Sequence, residues 1–197
     1  MDTIENLTQL TNSYYLRGWT PATSSNFSIR NNRDVVQITR SGRHKGRLNP
    51  QDFMRLKHTG EAIDEGKPSA ETGLHLMLYQ YDTEIKAVLH THSPKATVLS
   101  MIEKSDSIEF TDYEILKAFP GVAGHETTLS LPVYDNSQDI PALVKQIEPI
   151  LPQLQIPGFL IRGHGIYTWG NSLADADRHL EALEYLLECE IIRRQIK

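Results

Sequence analysis

Apolar residues recur at Ile4, Leu7, Leu10 and Tyr14, a spacing that lines one side of a helix ending near Gly18. The next segments, SSNFSIR and DVVQIT, are short and β-rich, and the turn-like NNRD between them predicts a hairpin. RSGRHKGRLNP is rich in glycine and cations and reads as a loop. In SAETGLHLMLYQY, residues Leu74, Met77, Leu78 and Tyr81 share a helical face, with Ser69 available as a cap. IKAVLH predicts a strand, and Pro94 suits the first turn of a following helix, PKATVLSMIEK. Further along come a short helix in TDYEILKAF, a strand in TLSLPV and a helix in DIPALVKQIEPIL. GFLIRGHGIYTWG is apolar and β-rich, interrupted by Gly-His-Gly. A long final helix carries the stripe Leu173, Ala176, Leu180, Leu183, Leu187 and Ile191, with Ser172 as its cap. Helices and strands mix with hairpins, which predicts an α/β or α+β fold in several layers.

At 197 residues the chain suits one domain, 1–197, with one core. The net charge of -5 and the scatter of Lys and Arg give no reason to expect a nucleic-acid partner. No apolar run reaches the roughly 20 residues of a membrane helix, and the acidic MDTIENLTQL is no signal peptide, so a cytosolic single-domain protein is expected. The single cysteine, Cys189, excludes both an intrachain disulfide and a thiolate metal cluster.

Candidate chemistry centres on AVLHTHSP. Residues two apart on a strand point to one face, so His90 and His92 can converge on one ion. His164, between two glycines inside the second strongly apolar strand, is the best third ligand, and three histidines with an open position is the usual layout of a catalytic zinc site. The other histidines offer less. His44, His58 and His179 read as solvated, His125 lacks the second histidine of a zinc-protease motif, and His75 pairs with Glu71 at i+4, most simply as a helix-surface hydrogen bond. Glu71 and Glu114, taken from pattern alone, read as surface carboxylates.

TSSNFSIR, ITRSGRHKG, KPSAE, AVLHTHSP and LIRGHGIYTWG, in this order and spanning nearly the whole chain, resemble the class II aldolase/adducin family. TDYEILKAF, ITRSGRHKGRL and HGIYTWG are similar to a branch that dehydrates a methylthio-bearing ketose phosphate in methionine salvage. The resemblance implies an α/β/α fold around a central, largely antiparallel sheet, assembled as a homotetramer with active sites at subunit interfaces. It implies one divalent metal per subunit, usually zinc, on His90, His92 and His164. Glu71 matches the acid that serves the aldolases as base and can ligate metal, and Glu114 matches the general acid/base of the dehydratase branch. The substrate phosphate is expected among Asn26, Thr39, Ser41, Gly42 and Ser69, with Lys45 or Arg43 nearby.

Dehydration of such a substrate takes a proton from the carbon beside a ketone and expels hydroxide from the next carbon. A divalent cation can polarise the carbonyl, and one carboxylate can remove the first proton and then protonate the leaving group. For that work Glu114 needs a pKa nearer neutrality than the ordinary value of about 4.3. Sugar-phosphate aldolases and epimerases of the family share the three histidines and are the alternative activity. A non-catalytic scaffold, as in the adducin head, need not keep those ligands, and a structural zinc module would fill all four positions with Cys or His.

Overall fold

The computed structural model describes residues 3–30 and 32–196; Asn31 of the NNRD turn, Met1 and Asp2 of the acidic N-terminal segment and Lys197 at the end of the last predicted helix lie outside them. Helix α1 (Ile4–Leu16) is capped by Thr3, whose hydroxyl accepts from Asn6 N. It leads into the hairpin β1 (Asn26–Arg30) and β2 (Val35–Thr39), with Ser28 opposite Ile38. The cationic loop holds two short 3-10 turns before β3 (Phe53–Lys57). Then follow α2 (Thr72–Tyr81), β4 (Ala87–Thr91), α3 (Pro94–Ile102), β5 (Ser107–Phe110), β6 (Leu129–Tyr134), α4 (Ile140–Ile147), β7 (Gly158–Ile161), β8 (Gly165–Gly170) and α5 (Leu173–Ile196). Strands β3 and β5 add to those predicted from the sequence. TDYEILKAF forms a 3-10 segment over Glu114–Ala118.

The strands form one mixed sheet in the order β3-β2-β1-β4-β8-β7-β6-β5. Every neighbouring pair is antiparallel except β6 and β7. The period-two alternation of each central strand divides the core in two. Leu89, Leu160 and Ile166 point to one face, where α1, α3 and α5 cover them with Leu7, Leu99 and Leu183. Val88, Phe159, Tyr167 and Trp169 point to the other, under α2 and α4, which supply Leu74, Leu78, Leu143 and Ile147. This is the expected three-layer arrangement. Arg30 ties the hairpin to the end of α2: its buried guanidinium donates to the carbonyls of Tyr79, Asp82 and Ile85. Tyr81, expected on the apolar face of α2, is instead exposed. Among the described residues no helix is long and apolar enough to cross a membrane.

Candidate active site

β4 is hydrogen-bonded on both sides, to β1 and β8, so its C-terminal end is held in the middle of the sheet. His90 is the last residue but one of that strand, and His92 follows it, its N–H bonded to Trp19 O at 2.8 Å. His164 does not lie inside a strand, as its apolar neighbours suggested; it sits in the turn between β7 and β8. Tight geometry explains both flanking glycines. Gly163 has φ +66, and a side chain on Gly165 would meet Thr91 O at 2.0 Å and the His90 ring at 3.1 Å. The turn therefore closes directly onto the end of β4.

The result is a cluster in which one ligand nitrogen from each of His90, His92 and His164 lies within 4.8 Å of the others. His90 is fully buried; its Nδ1–H donates to Ile166 O at 2.9 Å, which leaves the Nε2 lone pair pointing at the cluster. His92 Nε2 is 2.7 Å from it. Tyr167 stacks on the His90 ring at 4.0 Å between centroids and restricts it further. Burial lowers the pKa of His90 to about 3, against the opposing pull of Glu71, and burial with the neighbouring histidines lowers His92 to about 2. Both imidazoles are therefore neutral near pH 7, the form that ligates a cation. Neutral nitrogens aimed at one point, a carboxylate beside them and no thiol fit a divalent ion of the zinc, manganese, iron, cobalt or nickel type.

That carboxylate is Glu71. Its Oε1 is 3.0 Å from His164 Nε2 and its Oε2 3.2 Å from His90 Nε2. Asn26 Nδ2 donates to Oε2 at 2.9 Å, and the Tyr167 hydroxyl donates to the same oxygen. Burial alone would raise this carboxyl, but His90, His164 and the Tyr167 hydrogen bond together hold it far below the ordinary carboxylate range. Glu71 is thus an anion inside the cluster. Ser69 does not cap α2; Glu71 itself occupies the cap position, with its N–H 3.4 Å from Ser69 Oγ.

His75 is neither a ligand nor on the helix surface. It is fully buried: Nε2 bonds Asn26 Oδ1, and Nδ1 bonds Ser28 Oγ at 2.7 Å. Since the Asn26 amide nitrogen already serves Glu71, its oxygen must accept from His75, which assigns the proton to Nε2. The chain Ser28–His75–Asn26 therefore supports Glu71 from within the core. His179, expected to be solvated, is also buried, bonding Trp169 O through Nδ1 at 2.8 Å. His44 is half-buried against Tyr15, while His58 and His125 are exposed.

A cleft of about 170 Å³ opens beside the cluster, lined by Asn26, Ser41, Gly42, Lys45, Ser69, Glu71 and His92, with Thr23, Ser24, Ser25, Arg40 and Ala70. Most residues expected around a phosphate thus share one wall with a candidate metal ligand. Two differ from expectation. Thr39 is fully buried, its hydroxyl accepting from Phe27 N at 3.2 Å, and does not line the cleft. Asn26 lies on the wall, but both ends of its amide are taken by Glu71 and His75. Lys45 is buried, with Nζ donating to Thr23 O at 3.1 Å and Arg43 O at 2.8 Å. Burial lowers its pKa to about 8, with Asp52 opposing.

Glu114 stands apart. Its carboxylate is exposed and pairs with Lys117, with His125 Nδ1 3.6 Å away. The strand before it, β5, lies four places from β4, about 19 Å across the sheet at about 4.8 Å per strand. The Lys117 hydrogen bond lowers its pKa, the opposite of what a proton donor needs. Its neighbour Tyr113 is fastened to α5, the hydroxyl donating to the buried Glu190 at 2.8 Å. Within one chain, then, the backbone at Glu114 is anchored, its side chain points into solvent, and among the described residues no contact joins it to His90, His92 or His164.

Comparison with known proteins agrees with this architecture. Residues 5–191 match the family described as Class II Aldolase and Adducin N-terminal domain. The methylthioribulose-1-phosphate dehydratase of Pseudomonas fluorescens (strain Pf0-1) is 50% identical over 184 residues, 92% of this chain and 88% of that protein. Among solved structures, YgbL from Escherichia coli is 26% identical with a TM-score of 0.81, covering 96% of this chain and 88% of the other. L-fuculose-1-phosphate aldolase from Thermus thermophilus shares the fold at 23% identity and a TM-score of 0.77, over 95% of this chain and 93% of the other. The match runs from α1 into α5, over nearly the whole chain: the chain belongs to the class II aldolase and adducin N-terminal domain family.

Proposed function

We propose that the chain dehydrates 5-methylthioribulose 1-phosphate to 2,3-diketo-5-methylthiopentyl 1-phosphate, as a metal-dependent lyase of methionine salvage. The observation that carries the chemistry is the convergence of three imidazoles and one carboxylate beside a hydroxyl-lined cleft holding a buried lysine. The 50% identity to a dehydratase supports this outcome over aldol cleavage.

His90, His92 and His164 would hold the ion, one per subunit, with zinc the expected metal. When bound, it supplies a positive charge to polarise the substrate ketone. The chain's own groups do the rest. The cleft orients the phosphate through Ser41, Gly42 and Ser69 and through Lys45, whose ammonium has no carboxylate in contact among the described residues. Glu71, anionic and fixed by Asn26 and Tyr167, keeps a negative charge against the imidazoles and is available as a fourth ligand or a base. Glu114 acts as the general acid/base. It removes the C3 proton and returns a proton to the C4 hydroxyl, which leaves as water; the resulting enol becomes the second ketone. Because Glu114 projects from the opposite part of its own chain, this role requires an assembly, expected to be a homotetramer, in which the carboxylate of one copy enters the cleft of another. Covering it there would remove solvent and raise its pKa toward the working range. The expected compartment is the cytosol.

The direct test supplies purified protein, stripped of metal and then given back zinc, with methylthioribulose 1-phosphate and separately with fuculose 1-phosphate. Metal-dependent diketone formation supports dehydration. Release of lactaldehyde from the second substrate, with no diketone from the first, would replace it with the aldolase reading.

Lys45 adds a pH signature. A buried ammonium with a pKa of about 8 loses its charge well below the ordinary lysine range, so phosphate attraction weakens as pH rises through that value. KM should climb between roughly pH 7 and 9.5 with a smaller change in kcat, and Lys45→Met should show a high KM that no longer varies over this range. A wild-type KM that stays flat across the alkaline range would remove Lys45 from phosphate binding.

A further inference from the structure

Helix α5 packs on the face of β4 opposite the histidines, with Leu180, Leu183 and Leu187 fully buried there. In the middle of this apolar stripe stands Glu184, only 2% exposed. Its Oε1 accepts from the Thr91 hydroxyl at 2.9 Å, and the Ser93 side chain lies close to its carboxyl. Its Oε2 is buried with no hydrogen-bond partner among the described residues. Among the described residues no cation lies within ion-pair distance of it: Lys95 is engaged by Glu188. A carboxyl so placed is costly compared with a leucine, so packing does not account for it. Burial raises its pKa to about 7.

Its hydrogen-bond partner Thr91 and its neighbour Ser93 are the residues on either side of His92. Strand alternation sends His90 and His92 toward the candidate metal and Thr91 and Ser93 toward α5. Ser93 already accepts from Ala96 N at 3.1 Å as the cap of α3, so its hydroxyl hydrogen is free to turn to Glu184. Past Thr91 the ladder ends, and His92 keeps a single backbone bond, to Trp19 O. This end of the strand would otherwise be held on one side only.

We propose that Glu184 is a positioning residue for the metal ligands: from behind the sheet it holds Thr91 by a hydrogen bond, with Ser93 close by, and thereby fixes the chain at His90 and His92. The inference rests on the reading of the three histidines as a metal site. It concerns affinity and geometry at the ion and makes no use of substrate.

The test measures cobalt(II) and zinc(II) affinity of the metal-free protein by competition with a chelator, together with the visible spectrum of the cobalt form. Glu184→Leu, which fills the space without an acceptor, and Thr91→Val, which keeps volume without a donor, should each weaken binding by about tenfold or more and alter the cobalt bands. Glu184→Gln keeps an acceptor and should stay within about threefold of the parent. If Glu184→Leu does not fold, Thr91→Val reads the same clasp from the strand side. Parent-like affinity and spectrum in Glu184→Leu or Thr91→Val would overturn the proposal, as would a loss in Glu184→Gln equal to that in Glu184→Leu. A parent that binds neither metal more tightly than His92→Ala would overturn the metal-site reading itself, a result distinguishable from the others.

Discussion

Replacing His92 with alanine is expected to leave a folded protein that no longer retains stoichiometric metal and has lost about a thousandfold in kcat/KM. The site explains both parts. His92 is only partly buried and lies beyond the end of β4, so its removal empties no core and breaks no ladder bond. Its Nε2, however, faces His90 Nε2 at 2.7 Å, and two imidazoles remain where three converged. A cation that polarises a carbonyl contributes several kcal/mol to the transition state, and at about 1.4 kcal/mol per factor of ten this corresponds to roughly three decades. Metal content after dialysis, circular dichroism and turnover of methylthioribulose 1-phosphate would be measured together. Full metal retention in the folded variant would show that the three histidines do not share an ion.

Glu114→Gln is expected to cut kcat by about 10² to 10⁴, the usual span for loss of a general acid/base, with metal content unchanged. Stability should barely move, because the carboxylate is exposed and bonded only to Lys117 and, loosely, His125. A near-normal rate would end the assignment. The sharper form of the experiment mixes this variant with His92→Ala, dissociating and reassembling the two together. Neither chain is active alone. If the acid works across a subunit boundary, hybrid assemblies contain sites that combine an intact histidine cluster from one copy with an intact Glu114 from another, up to about a quarter of all sites in a random mixture. Activity appearing on mixing, and growing as subunits exchange, is the expected result. Silence in a mixture shown to contain hybrids would place the proton transfer elsewhere, with Glu71, already an anion at the cluster, as the next group to test.

Much of this site is local in the chain. His90 and His92 could be assigned to one face because strand alternation is a backbone property, fixed by two residues of spacing. The glycines around His164 signalled a close approach, and the approach is real, although the histidine sits in a turn and not in the strand that its apolar neighbours suggested. His75 and His179 show where such reasoning fails. Each lies on a helix beside polar neighbours, and period alone cannot say which further layer covers that side. α2 turns His75 into the sheet, where Ser28 and Asn26 receive it, and the end of β8 covers His179. Thr39 followed the same pattern: it belongs to a loop motif that suits an anion, but its position at the end of β2 turns its hydroxyl inward to Phe27 N.

From the sequence alone came the order of most elements, the layered α/β class, the three histidines and the small-residue loop, since these depend on periodicity and on short spacings along the chain. Only the tertiary structure could decide what surrounds them. Glu71, Asn26 and Tyr167 meet at His90 from 19, 64 and 77 positions away, Glu184 holds Thr91 across 93, and Glu114, only 22 residues past His92, does not reach the cluster within its own chain. Distance along the chain says little about distance in space once eight strands are ordered β3-β2-β1-β4-β8-β7-β6-β5, because the sheet places β1 from the first third and β8 from the last third on either side of β4 and sends β5 and β6 to its far edge.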